Sequence, residues 1–180
     1  MKYLLTNEES NRLNFRLLDE IYFDNWLEFF KEPNTVQFIG LDSTKTPTEL
    51  CRQWFDIVND RYKNDLGGMN ALIDKNTNTF IGQCGLLVQE VDGITELEIG
   101  YSILPAHRNK GYASEAATKC RDFAFSKGYR ESLISIIHVD NIRSEKVAIK
   151  NGMTKTKQTE FRGMPVNVFR IDKHEWLKSC

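Results

Sequence analysis

Ile103-Leu104-Pro105-Ala106-His107-Arg108-Asn109-Lys110-Gly111-Tyr112-Ala113-Ser114-Glu115-Ala116-Ala117 is the stretch whose reading decides the fold. An apolar strand over 97–104 stops at Pro105. A basic, glycine-containing turn follows, Arg108-Asn109-Lys110-Gly111. Small residues (Ala113, Ser114, Ala116, Ala117) then open a helix. The first amides of a helix have no intrahelical partners, and the macrodipole puts partial positive charge there. A strand, a tight loop and a helix N-terminus therefore make an anion site. Gly111 lets the backbone come close to a bulky anion, and Arg108 and Lys110 add formal charge beside it. A phosphate or pyrophosphate is the expected occupant.

Working outward from that loop, Leu13, Phe15 and Leu17 alternate with polar neighbours, as in a half-buried strand. Tyr22, Trp26 and Phe30 recur at helical spacing with Phe23 and Leu27 beside them, and Pro33 closes the run. Those aromatics are either core packing or one wall of an acceptor pocket. Thr46-Pro47-Thr48-Glu49 reads as a helix start with a capping box. That helix runs to about Lys63, with Leu50, Trp54, Ile57 and Val58 on its apolar face. Strands are expected at 72–73 and 80–88, and Asp92-Gly93 is a type I′ hairpin signal leading into a return strand over 95–104. Tyr112 to Ser126 is a helix with a small-residue face, ended by Lys127-Gly128. Leu133 to Val139 is a strongly β-prone run, so strand, helix and strand form one βαβ unit. A short helix over 143–150 and two strands, at 154–161 and 166–171, complete the chain. The expectation is a mixed α/β (α+β) domain spanning residues 1–180. Its central sheet has about seven mostly antiparallel strands and about four flanking helices, with one parallel βαβ unit at the anion loop.

Composition narrows the function classes. The chain has 180 residues, net charge −1 and 41% apolar residues, enough for one domain with a proper core. A nucleic-acid binder usually carries a large basic excess, which is absent here. No apolar run reaches the roughly 18 residues of a membrane span, and the first ten residues are too weakly apolar for a signal peptide. A cytoplasmic protein with no membrane association is expected. Cys51, Cys84, Cys120 and Cys180 form no CxxC pair and have no clustered histidines, so neither a metal site nor a disulfide framework is expected. No Walker loop or GxGxxG motif points to a nucleotide protein.

Four stretches carry a family resemblance. Arg108 to Ala113 resembles the R/Q-x-x-G-x-G/A loop of the GNAT acyltransferases, which bind acetyl-CoA. Glu98-Ile99-Gly100-Tyr101 resembles the strand before that loop. Asn141-Ile142-Arg143-Ser144 resembles the N-x-x-S of the RimJ/RimL-like branch, and Arg12 to Arg16 resembles that branch's opening strand. The resemblance implies an N-acetyltransferase with acetyl-CoA as co-substrate and no metal. It implies a pyrophosphate held by Arg108, Asn109, Lys110, Gly111, Tyr112, Ala113 and Ser114, and a pantetheine arm paired near Ile103 and bonded by Asn141. The amine acceptor would be a protein N-terminus or a small molecule such as a polyamine or antibiotic. A non-catalytic acyl-CoA-binding module is the alternative. Dimerisation is common in the family, so a homodimer is open.

Amine acetylation needs a proton acceptor, oxyanion stabilisation and a proton for sulfur. Glu98 is the candidate base. It interrupts an apolar strand, where partial burial would raise its pKa; the other reading is an exposed strand-face glutamate beside Glu96. Alternation sets Glu98, Gly100 and Ser102 on one face. Ser144 falls where the branch positions the CoA sulfur and is the candidate for handling the leaving thiolate; otherwise it is a first-turn helix residue. Many members use a tyrosine there, but no tyrosine follows Tyr129, and Phe169 stands in that region. Asn141 can N-cap the helix that follows. His138 reads as a core or pocket histidine. An α-amine, with a pKa of about 7.7–8.0, is far more available in neutral form than a lysine-type amine near about 10.4, which suits a single modest base.

Overall fold

The computed structural model describes residues 2–178 and arranges seven strands in one sheet. β1 (Leu13–Leu17) turns Leu13 and Phe15 inward and Arg16 outward, as its alternation requires. β2 (Gly67–Asp74), β3 (Phe80–Val91) and β4 (Ile94–Ile103) form the expected antiparallel meander. Asp92 and Gly93 join the last two at φ of 52° and 76°, the sign a type I′ turn demands at both central positions. β5 (Ser132–His138), β6 (Thr154–Phe161) and β7 (Met164–Asp172) follow. The spatial order is β1-β2-β3-β4-β5-β7-β6, antiparallel throughout except for the parallel pair β4 and β5.

Six helices accompany the sheet among the described residues: α1 (Phe23–Phe30), α2 (Pro33–Val36), α3 (Pro47–Lys63), α4 (Tyr112–Ser126), α5 (Ile142–Lys150) and α6 (Lys173–Lys178). The sequence pointed to four. α2 and α6 have four and six residues, too few for a periodic apolar signal. Tyr22 lies before α1 in a 3-10 turn and stacks on Phe80 with ring centres 4.9 Å apart. The capping box at α3 is complete: Glu49 N–H donates to Thr46 Oγ1, and Thr46 N–H donates to Glu49 Oε2 at 2.8 Å. Thr46→Ala is expected to lower the unfolding free energy by about 1 kcal/mol in a denaturant titration, with an unchanged slope.

Two cores lie on opposite faces of the sheet. Successive residues of β2 alternate between them: Leu72 joins one, Ala71 and Ile73 the other. On the first face the small side of α4 (Ala116, Ala117, Cys120, Ala124) packs with Leu97 and Ile99 of β4. On the second, Trp26, Phe29 and Phe30 of α1 meet Leu50, Phe55 and Val58 of α3. Phe169 is buried in the first core. Cys51, Cys84 and Cys120 are free and buried; Cys180 lies outside the described residues. No described helix is long and apolar enough to cross a membrane.

Candidate active site

The one parallel pairing of the sheet decides where the site lies. β4 and β5 are in register at a single position, Glu98 opposite Ile134, and then part. Side chains bridge the opening instead. Ser135 Oγ donates across it to Ile99 O at 2.9 Å and the Ile136 N–H to Glu98 Oε1 at 3.4 Å, while on the β4 side Arg108 Nε donates to Ile103 O at 3.1 Å. Backbone groups of alternate residues point to the same strand edge, so Tyr101, midway between Ile99 and Ile103, turns its N–H and C=O into the gap. A cavity of about 760 Å³ occupies this opening and extends over the α1 and α3 face of the sheet. That is within the usual range for a ligand site.

Glu98 stands at the point where the strands part, and Gly100 and Ser102 line the cavity with it. Its side chain is half-buried. Burial raises the carboxyl pKa, and a hydrogen bond from Gln89 Nε2 at 2.7 Å, the Ile136 N–H, Arg162 and Arg61 pull it back without cancelling the rise. The exposed-glutamate reading fails for Glu98. Its neighbour on the same face, Glu96, is engaged elsewhere, in an ion pair with Arg170 at 2.5 Å.

The loop after β4 has the expected form. Pro105–His107 makes a 3-10 turn; Asn109 (φ 61°) and Gly111 (φ 82°) then carry the chain into α4. Gly111 is the N-cap residue, and no side chain caps the helix. The first helical bond is Glu115 N–H to Gly111 O at 3.1 Å, so the amides of Tyr112, Ala113 and Ser114 face outward from the helix end. A Cβ at Gly111 would meet Arg12 Nη2 at 3.4 Å. Lys110 Nζ donates to Ala106 O.

Two features of this loop differ from a bare sequence reading. Arg108 turns inward: Nη2 donates to Thr35 Oγ1 at 2.9 Å, so it ties the loop to α2 and to β4 rather than facing the helix end. Burial, helped by Arg143, lowers its pKa. The second feature is a clamp. Glu115 Oε2 pairs with Arg12 Nε at 2.7 Å, and its Oε1 accepts from Ser10 Oγ and from the Arg12 N–H. Burial would raise the Glu115 pKa, but these bonds outweigh it and leave the carboxyl low. Arg12 also reaches Lys110 O and stacks over the Tyr112 ring. The clamp joins residues 103 apart in sequence, and nothing local announces it.

At the far side of the gap, α5 begins with Asn141 as N-cap. Its side-chain oxygen accepts from the Ser144 N–H at 3.2 Å. The capping reading therefore holds for that oxygen, and Asn141 and Ser144 both line the cavity. Tyr101 OH donates to Ser144 O at 2.7 Å and fastens this turn to β4. Burial drives the Tyr101 pKa well above normal, so the hydroxyl stays protonated. His138 lines the same cavity with its ring 5.3 Å from Phe38. Its Nδ1 accepts from the Asp140 N–H at 3.2 Å, which leaves the hydrogen of the neutral ring on Nε2.

The aromatic wall is partly what the sequence offered. Trp26 and Phe30 are buried in the core, while Phe29 and Trp54 line the cavity with Phe38 and Leu41. The i, i+4, i+8 stripe passes over Phe29 because that residue sits on the flank of the stripe.

Residues 12–154 match the family described as an acetyltransferase (GNAT) domain. The chain belongs to the GNAT acetyltransferase family. It is 33% identical over 143 residues to the uncharacterized protein YkkB of Bacillus subtilis (strain 168), covering 78% of this chain and 80% of that one. Two solved structures share the GNAT fold. RimL, a ribosomal L7/L12 alpha-N-protein acetyltransferase in complex with coenzyme A, aligns with a TM-score of 0.73 at 17% identity, over 91% of this chain and 95% of that one. A spermidine N-acetyltransferase from Vibrio cholerae, in complex with CoA and spermine, aligns at 0.71 and 16%, over 92% and 98%. GNAT members use acetyl-CoA, and the residues here fit it: an uncapped helix end beside a left-handed glycine suits a pyrophosphate, and a strand gap with inward amides suits an extended arm.

Proposed function

We propose that this chain, as one acetyltransferase domain, moves the acetyl group of acetyl-CoA directly to a primary amine of the α-amine type, with Glu98 as proton acceptor. The observation that supports this most is the location of Glu98: a half-buried carboxyl with a raised pKa at the mouth of the gap between β4 and β5. A pKa raised by burial makes it a stronger base than an ordinary carboxylate. The thioester supplies an electrophilic carbonyl: the amine nitrogen bonds to it, the C–S electron pair leaves with sulfur, and a proton from the amine completes the thiol. Glu98 accepts that proton from the nitrogen, directly or through water, and gives it up to the sulfur, so the carboxylate is restored at the end of the step.

The other residues bind and orient. Asn109, Lys110 and Gly111, with the amides of Tyr112, Ala113 and Ser114, hold the pyrophosphate. Tyr101 offers its N–H and C=O to the pantetheine arm, and Ile103 and Arg108 fix the end of that edge by their mutual bond. The amide nitrogen of Asn141 bonds the same arm. Ser144 donates a hydrogen bond to the sulfur as charge leaves with it, a role the resemblance to the RimJ/RimL-like branch supports. A protein N-terminus and a small α-amine both meet these requirements. A polycation is the weaker fit, because Glu98 is the single carboxylate among the residues lining the cavity.

The test is release of the CoA thiol from acetyl-CoA on addition of amine. Amine-dependent release supports transfer, whereas tight acetyl-CoA binding without release for any amine would leave a binding module. Ser144→Ala is expected to lower kcat roughly tenfold to a hundredfold, the worth of one hydrogen bond to a charged group. The KM for acetyl-CoA should stay within about twofold, because the bond strengthens only as sulfur becomes negative.

A further inference from the structure

The acceptor end of the cavity has a chemistry of its own. One side is apolar, with Phe29, Phe38 and Trp54 facing it. Phe161, Arg162 and Met164, around the turn between β6 and β7, form the opposite side. The two sides meet. A Cβ at Gly40, in the segment between α2 and α3, would stand 2.9 Å from Met164 Cε and 3.8 Å from Arg162 Cβ.

The charges in this chamber are unbalanced. Glu98 is the one carboxylate among the lining residues, and Arg61 and Arg162 lie near it. Arg61 is 8% exposed. Its Nη2 donates to Leu66 O and Val88 O, both at 2.7 Å, which fixes the guanidinium in place. Its buried Nε has no acceptor among the described residues. Arg162 is on the exposed rim at φ 51°, its guanidinium 5.1 Å from the centre of the Phe161 ring. Both arginines draw the Glu98 pKa down against its burial, and Arg162 lowers that of Arg61, so the three groups are within electrostatic reach of one another. Around Glu98 two arginines face one carboxylate at a partly desolvated site, where an anion is favoured and a further cation is not.

We propose that the acceptor is a small amino acid-like molecule: a primary amine delivered to Glu98, a carboxylate held by Arg61 and Arg162, and an apolar body against Phe29, Phe38 and Trp54. This rests on the transfer reading above and narrows it. A planar guanidinium suits a carboxylate because it offers paired donors in a fixed fork. A polyamine carries cations where the chamber already has two. A protein N-terminus has an amide carbonyl where the free acid has its carboxylate, and so gains less from the arginines.

The experiment compares kcat/KM for CoA-thiol release with phenylalanine, phenylalaninamide, spermidine and a short peptide with a free N-terminus, in wild type and Arg162→Gln. The free acid has the more basic amine, because its carboxylate stabilises the ammonium form, so any preference for it comes from binding. The wild type is expected to favour the acid over the amide at least about tenfold, and Arg162→Gln to bring that ratio to within about threefold through KM for the acid. An equal or better rate with the amide, the peptide or spermidine would overturn the proposal while leaving amine transfer intact. So would a loss in Arg162→Gln that is the same for acid and amide. Absence of release with all four amines would remove the transfer reading and this proposal together.

Discussion

Gly111→Asp is expected to weaken acetyl-CoA binding by at least about a hundredfold, or about 2.7 kcal/mol, in a calorimetric titration. Gly111 sits at φ 82° as the N-cap of α4, with no side chain of its own over the helix end. An aspartate there adds a negative charge where a pyrophosphate must lie against the first amides. The backbone cost is small, because aspartate is among the residues that tolerate a left-handed conformation. Gly111 is also exposed, so the fold should survive with a circular dichroism spectrum and melting curve close to wild type. Gly111→Ala separates charge from shape. Its Cβ would meet Arg12 Nη2 at 3.4 Å, the end of a flexible side chain, and its loss of binding should be well under that of the aspartate. Equal losses in the two variants would assign the effect to loop conformation instead of charge.

Glu98→Gln is expected to lower kcat/KM by about a hundredfold to a thousandfold while acetyl-CoA binds within about threefold of wild type. The substitution keeps the side-chain volume and leaves an oxygen for Gln89 Nε2. What it removes is the capacity to accept a proton. Stability should move the other way. Burial is the main cause of the raised Glu98 pKa, so the folded state holds this proton more tightly than the unfolded chain. Below the ordinary carboxylate pKa both states are protonated, and the group does not favour either. As pH rises, the unfolded chain ionises first, and folding stability falls until the folded-state pKa is also passed. At pH 7 to 8, Glu98→Gln is therefore expected to match or exceed wild type in chemical denaturation. A variant both inactive and strongly destabilised would make Glu98 a structural residue.

Local chemistry was legible in the sequence, and long-range chemistry was not. Thr46, Pro47 and Glu49 act within one turn, so the start of α3 could be read directly. The same holds for Asp92-Gly93 and for the loop from Arg108 to Gly111. The identity of Glu98 as the odd residue in an apolar strand was visible too. Its partners were not: Gln89 is across a hairpin, and Arg61 and Arg162 come from α3 and from the turn before β7. The parting of β4 from β5 has no sequence signature, because both strands continue to look β-prone after they separate. The backbone of the loop was legible, but the inward turn of Arg108 was hidden for the same reason. Its side chain follows Thr35 of α2, a four-residue helix that periodicity does not reveal.

The most direct test of the account is the pH dependence of kcat for CoA-thiol release, measured with one amine in wild type and Glu98→Gln. Ionisation of the amine itself affects both proteins alike. Wild type is predicted to show an additional acid limb, with a midpoint above the ordinary carboxylate range, which is missing from Glu98→Gln. Superimposable profiles and similar rates in the two proteins would contradict the account and move the proton-accepting role away from Glu98.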